Sequence, residues 1–262
     1  GERVPQNDFS IKESLDREFL TNTYWQSNAM LLFKRANRWF PIIEPILKKN
    51  NIPDDFKYVA LIESHLTNAV SPRGATGFWQ FVEETGTHYG LEINDEVDER
   101  YNVERSTQAA CMYFKDAHDK FGDWTLAAAS YNLGMGGIES QLKKQKVTNY
   151  YDLMLNEETG RYVYRLLALK TILQNPKQFG FEIRKKDLYH RIPTISIKVN
   201  EGIPDLVEYS ISKGYNYKIL KLFPKKEYLQ RAFDELELDS LKNSLHLDSA
   251  AFASPSDTIK LK

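Results

Sequence analysis

Tyr58-Val59-Ala60-Leu61-Ile62-Glu63-Ser64-His65 sets one carboxylate into an otherwise apolar run, and the chain on either side is organised around it. Pro53 followed by Asp54 and Asp55 predicts a helix start, with acidic groups beside the positive end of the helix dipole. A helix from there to about Leu66 puts Phe56, Val59, Ala60 and Glu63 at i, i+3, i+4 and i+7, on one face. The carboxylate then shares the apolar face. Removal from water disfavours the ionised form, so a Glu placed there stays protonated near neutral pH and can donate a proton. The same position also suits a Glu at the edge of the stripe, paired with a Lys or Arg. The residues that follow Glu63 favour the first reading.

Upstream, residues 1–10 read as an irregular lead-in. From Ile11 to about Asn50 the pattern is helical, with Leu15, Phe19, Ala29, Leu32, Phe33, Ala36 and Phe40 at three- and four-residue steps. Pro41 and Pro45 predict helix breaks or restarts, and Asn50-Asn51-Ile52-Pro53 predicts a turn.

Downstream, Ser71-Pro72-Arg73-Gly74-Ala75-Thr76-Gly77 is the most loop-like segment, and Phe78-Trp79-Gln80-Phe81 leads into a short helix closed at Tyr89-Gly90. Leu91 to Asn102 is acidic and reads as a loop. Ser106 is a candidate cap for a helix to about Lys120, ended by Phe121-Gly122. Asp123 caps the next, Trp124 to Asn132, which stops at Gly134-Met135-Gly136-Gly137, and Arg161 to Gln174 forms another before Asn175-Pro176.

The period then changes. Ile192 to Val199 alternates like a strand, Asn200-Glu201-Gly202 turns, Ile203 to Lys213 reads as a helix ended by Gly214, and Asn216 to Phe223 as a second short one. From Lys225 onward Leu229, Phe233, Leu236 and Leu241 fit one face of a last helix, before a small, polar tail at 249–262.

Composition narrows the function classes. Hydrophobic residues make up 42% of the 262 and aromatic ones 13%, enough for a packed core with rings to spare for covering the apolar face of a sugar. Thirty-five basic against 36 acidic residues give a formal net charge of −1, so no basic excess points to nucleic acid. Cys111 is the single cysteine, which excludes an intramolecular disulfide; its apolar helical neighbours predict an inert buried thiol. No apolar run reaches the roughly 18–20 residues of a membrane-spanning helix. The opening Gly1-Glu2-Arg3-Val4-Pro5 is not a signal peptide, which leaves a removed targeting segment open.

Several chemistries are unsupported. His65, His88, His118, His190 and His246 form no paired ligand spacing, so no metal and no cofactor is expected. No Gly-x-Ser-x-Gly elbow occurs, and Gly134-Met135-Gly136-Gly137 follows a helix where a phosphate loop would follow a strand.

What remains is an ordered set of polar positions: Glu63-Ser64, Ser71, Gly77-Phe78-Trp79-Gln80, Ser130-Tyr131-Asn132-Leu133-Gly134, and Tyr162 in Arg161-Tyr162-Val163. Singly, each suits an ordinary structural role: Tyr131 a core, Gln80 a surface. In this order and spacing they resemble the lytic transglycosylases of the soluble-type, goose-lysozyme-like superfamily, especially the membrane-bound D type. That family carries a Glu-Ser pair, a Gly-Leu-Met-Gln-like segment, an Ala-Tyr-Asn-x-Gly motif and a later tyrosine. Here Trp79 stands for the usual Met and Ser130 for Ala. The resemblance covers about residues 45–180.

The resemblance implies that Glu63 is the sole catalytic acid and base. Ser64, Ser71, Gly77, Phe78, Trp79, Gln80, Tyr131, Asn132 and Tyr162 would bind the substrate. It further implies cleavage of the β-1,4 bond between N-acetylmuramic acid and N-acetylglucosamine with formation of 1,6-anhydro ends. The partner would be peptidoglycan glycan strands in the bacterial cell envelope, in the periplasm or at the outer membrane. A lipid anchor outside this sequence and other cell-wall proteins fit the same picture. Residues 194–220 are more faintly similar to the first part of a LysM glycan-binding module, without its Gly-Asp-Thr turn or an evident second strand; a small appendage without glycan affinity fits equally.

The expected fold is mainly α: a lysozyme-like catalytic domain at 46–185, extra N-terminal helices at 1–45, a small α+β appendage at 186–224, and a C-terminal helix and tail at 225–262. Two rival functions stay in view. A goose-type hydrolase of peptidoglycan or chitin needs a second carboxylate about 6.5–9.5 Å from Glu63, with Asp95 and Asp98 as candidates. A non-catalytic glycan-binding envelope protein needs no acid at all.

Overall fold

A computed structural model describes residues 2–5, 7–94, 97–192, 194–198, 203, 205–217 and 228–232. The chain divides into two compact units, Gly1–Arg191 and Ile192–Lys262.

The first unit is built from helices: α1 (Phe9–Tyr24), α2 (Gln26–Lys49), α3 (Lys57–Ser64), α4 (Glu83–His88), α5 (Val103–Phe121), α6 (Trp124–Leu133), α7 (Met135–Gln145) and α8 (Glu157–Gln174). At its centre is α3, where Val59, Ala60 and Leu61 are all fully buried. Eight residues are too few for a helix to be stable alone in water, so packing supplies its stability. Burying one such side chain contributes roughly 1.5–3 kcal/mol. The main core around α3 combines Ile43 and Leu47 of α2, Phe114 of α5, Ala127 of α6 and Leu169 of α8. A second cluster joins Ile11 of α1, Ile138 of α7 and Val163 of α8.

The prolines do not break α2, which runs unbroken through Pro41 and Pro45. They lie four residues apart on the exposed face, where the carbonyls of Asn37 and Pro41, deprived of their helical donors, can bond to water. The opposite face buries Phe40, Ile43 and Leu47 and holds the helix together. The domain boundary expected at 45/46 therefore falls inside a continuous helix.

One cap assignment and one helix differ from expectation. Asn102, not Ser106, caps α5, its side chain accepting from the Arg105 N–H, while Ser106 is buried and donates its hydroxyl to the Asn102 carbonyl at 2.6 Å. Gly134, at φ 81°, ends α6 and opens α7 directly, a helix the glycine-rich sequence did not announce. Asp123 caps α6 as its sequence position implies, accepting from the Leu126 N–H at 2.6 Å. Cys111 is buried, and burial pushes its thiol up to about 12.

The second unit pairs β1 (Thr194–Lys198) with β2 (Tyr228–Ala232) in antiparallel register, Thr194 opposite Ala232 and Lys198 opposite Tyr228, with α9 (Leu206–Ser212) between them in sequence. Asp205 caps α9, and Gly214 follows it at φ 69°. A helix through Leu229 is thus corrected to a strand. A lone β1 would leave a row of backbone donors and acceptors unpaired, and β2 supplies their partners. Phe233, Leu236, Leu241 and the expected turn at 200–202 lie outside the described residues, as does most of the helix expected at 216–223.

Candidate active site

Glu63 occupies the last turn of α3, half-buried, where the helix ends abruptly. His65 and Leu66 both take left-handed backbone, at φ 53° and 54°, and the buried Leu66 side chain anchors this uncommon pair of residues. The Tyr162 hydroxyl, from α8, donates to Glu63 Oε1 at 2.5 Å. Burial dominates the acid's electrostatics and raises its pKa from 4.5 to about 7. The Tyr162 hydrogen bond and the Arg165 charge pull it down; the Glu158 charge pushes it up. At neutral pH both protonation states are populated, which suits a group that must give and then take a proton.

Behind the acid, residues 77–80 form a tightly held loop. Ser64, next to Glu63, donates its hydroxyl to the Phe78 carbonyl at 2.8 Å. Tyr131, from α6, donates to the Trp79 carbonyl at 2.7 Å. Gln80, itself at φ 52°, donates its amide to the carbonyls of Ala69 and Gly77 at 2.9 and 2.8 Å. Trp79 is fully buried and gives its indole N–H to the Thr107 hydroxyl of α5 at 2.9 Å. Gly77 sits at φ 79°, and a Cβ there would come within 2.0 Å of the Arg100 carbonyl oxygen, so no larger residue fits.

The sequence-selected positions therefore converge, but in two ranks. Glu63 and Tyr162 meet directly. Ser64, Gly77, Phe78, Trp79, Gln80 and Tyr131 spend their side chains or backbone on the wall behind them. Ser71 turns inward on its own loop, its hydroxyl accepting from the Ala75 N–H at 3.0 Å. Asn132 bridges to α8, accepting from the Thr159 hydroxyl at 2.7 Å and donating to Glu158 Oε1 at 3.2 Å.

Two charged neighbours of the acid, Glu158 and Arg165, were not singled out from the sequence. With Tyr162 they fall at i, i+4 and i+7 along α8, one helical face, and that spacing is the signal that could have found them. As for a second carboxylate, Asp98 holds the Arg100 guanidinium, with Oδ2 2.7 Å from Nη2, and caps the turn at Glu99–Tyr101. Arg100 in turn donates to the Gly74 and Phe81 carbonyls, so Asp98 serves the loop. Asp95 lies outside the described residues. Among the described residues no cluster of His, Cys, Asp and Glu could hold a metal ion, and no helix is long and apolar enough to cross a membrane.

Residues 40–154 match the model of the transglycosylase SLT domain family. The chain is 33% identical over 219 residues to the membrane-bound lytic murein transglycosylase D of Escherichia coli K12, covering 80% of this chain and 47% of that one. The protein of the same name from E. coli O6:H1 matches with the same figures. The chain thus spans about half the length of these curated relatives. Among solved structures, the 70 kDa soluble lytic transglycosylase of E. coli superposes with a TM-score of 0.43 at 19% identity, over 58% of this chain and 26% of that one. The helical architecture of the first unit agrees with the mainly α fold expected from the sequence.

Proposed function

We propose that this chain is a peptidoglycan lytic transglycosylase with Glu63 as its one acid and base, a reading supported by the match of residues 40–154 to the transglycosylase SLT domain and by the 33% identity to the E. coli membrane-bound lytic murein transglycosylase D. The observation that carries the proposal is the state of Glu63: half-buried, raised to about 7, and met by the Tyr162 hydroxyl at 2.5 Å.

In the proposed reaction the neutral Glu63 carboxyl gives its proton to the glycosidic oxygen between N-acetylmuramic acid and N-acetylglucosamine. The C1–O4 bond breaks and its electron pair leaves with that oxygen. The Glu63 carboxylate then takes the proton of the muramic acid O6 hydroxyl as O6 bonds to C1. A 1,6-anhydro ring closes, the acid is regenerated, and no water is consumed. The nucleophile is already tethered to the reacting centre, which removes most of the entropic cost of bringing it there. Tyr162 orients the carboxyl, and the wall at residues 77–80, held by Ser64 and Tyr131, keeps it in place. Asn132 of α6 holds Glu158 and Thr159 of α8. Ser71 shapes the loop before the wall.

The substrate would be glycan strands of the bacterial cell envelope, reached from the periplasm or from an outer-membrane anchor outside this sequence. For the second unit, the strand–helix–strand order supports the likeness to a LysM glycan-binding module, and a pull-down of residues 192–262 on purified sacculi tests it.

Digestion of purified sacculi in isotopically labelled water tests the main proposal. Released muropeptides should carry unlabelled 1,6-anhydro ends, one water lighter than hydrolytic products. Labelled reducing ends as the main product would overturn it and turn attention to Glu158 and Asp98 as the base of a hydrolase. Binding without release of any product would favour a glycan-binding protein.

A further inference from the structure

Glu18 is a carboxylate buried to 1% exposure, set in α1 far in sequence from the acid. A buried charge is tolerated only when it is paired. Arg161 of α8 donates its Nε to Glu18 Oε1 at 2.5 Å. The other oxygen, Oε2, receives no hydrogen bond, and the Nε of Arg165 lies 3.7 Å away, close enough for an ion pair and too far to donate. Arg161 also reaches Glu157, which Arg17 of α1 holds at 2.7 Å.

The position of Arg165 on α8 gives this pairing a consequence. Arg161 and Arg165 are one turn apart on the stripe facing α1, while Glu158, Tyr162 and Arg165 follow the stripe facing the acid. Arg165 lies on the seam between the two. Its charge is felt by Glu63 and by His65 at the end of α3. The groups acting on Glu63 are Tyr162, Glu158 and Arg165 from α8, with Tyr131 facing it from α6; His65 also feels Arg35 of α2, which donates to the His65 carbonyl at 3.2 Å.

We propose that Arg165 is a positioning residue for the acid and that Glu18 governs it, drawing the guanidinium to the α1 side of α8 so that only part of its charge bears on Glu63. The inference rests on the reading of Glu63 as the acid. The N-terminal helix then takes part in tuning the reaction through α8. A cation released towards Glu63 favours its carboxylate and reduces the fraction able to donate a proton; a cation withdrawn does the opposite.

The test measures two quantities in the whole chain: the pH profile of kcat/KM on sacculi, and the titration of the Glu63 carboxyl by carbon NMR, assigned by its loss in Glu63→Gln. Glu18→Gln keeps the shape and removes the counter-charge, so the upper limb of the profile and the Glu63 titration should both move to lower pH. Arg165→Gln should move both to higher pH, and Arg165→Lys should return them towards the parent. The shifts should be on the order of half to one pH unit. Should Glu18→Gln fail to fold, the Arg165 pair carries the test alone. Titrations that stay put, or that move the same way in both glutamine variants, overturn the proposal. Titrations that move as expected while the rate profile does not would uphold the Glu18–Arg165 control and overturn Glu63 as the acid.

Discussion

The Tyr162 hydroxyl donates to Glu63 Oε1 at 2.5 Å, tying α8 to α3 across 99 positions of sequence. That one bond joins the last of the sequence motifs to the first. It also opposes burial, since a donor to a carboxylate favours the charged form. The acid therefore sits near neutrality because burial, helped by the Glu158 charge, outweighs the Tyr162 hydrogen bond and the Arg165 charge.

Glu63→Gln should abolish release of muropeptides while the protein stays folded, because Gln keeps the acceptor for Tyr162 and has no proton to give. Its stability should depend on pH in a defined way. Between about 4.5 and about 7 the folded parent holds a proton that the unfolded chain has released, so parent stability falls as pH rises through that window and then levels off. Gln removes that loss. The variant should match the parent at the acid end of the window and exceed it by up to about 3 kcal/mol above neutrality. Thermal melts at the two ends check this, and an equal difference at both would refute the buried-acid account.

Tyr162→Phe and Tyr131→Phe should behave differently. Loss of the Tyr162 hydroxyl removes a bond to the acid and should cost about one to two decades in kcat. It should also move the Glu63 titration to higher pH. Loss of the Tyr131 hydroxyl leaves the Trp79 carbonyl without that donor and should lower stability by about 1–3 kcal/mol. Chemical denaturation alongside kinetics distinguishes the two; a stable, inactive Tyr131→Phe would mean that this hydroxyl faces the sugar.

Ser64→Ala should act through the fold. The buried Ser64 hydroxyl donates to the Phe78 carbonyl, and removing it should cost about 1–3 kcal/mol, seen as a lower urea midpoint. The acid's own titration should shift little, since Ser64 makes no bond to it.

Glu158→Gln tests the carboxylate beside the acid. Its charge raises the Glu63 pKa, so its removal should shift the upper limb of the pH profile to lower pH. Glu158 is exposed, so the melting temperature should hardly change. Complete loss of turnover at every pH would instead mark Glu158 as a base and favour hydrolysis.

The sequence carried much of this. The apolar period around Glu63, the Pro53-Asp54-Asp55 start and the caps at Asp123 and Gly122 are local signals, and each marks its element because one or two turns of backbone suffice to express it. Local signals failed where the neighbourhood decided. Pro41 and Pro45 are read as breaks until the solvent beside them is known, and Leu229 suits a helix face until β1 is seen to need a partner.

By itself, then, the sequence determined a mainly helical chain, an acid on a short apolar helix, and the order of the polar motifs after it, since these follow from period and propensity along the chain. Tertiary structure decided which of those motifs touch. Tyr162 reaches Glu63 while Tyr131 reaches a backbone carbonyl, and Glu158 and Arg165 enter the acid's field because α8 presents one face to α3 and an adjoining face to α1. A residue's period along a helix is fixed locally, but the partner its face meets is fixed by how the helices pack.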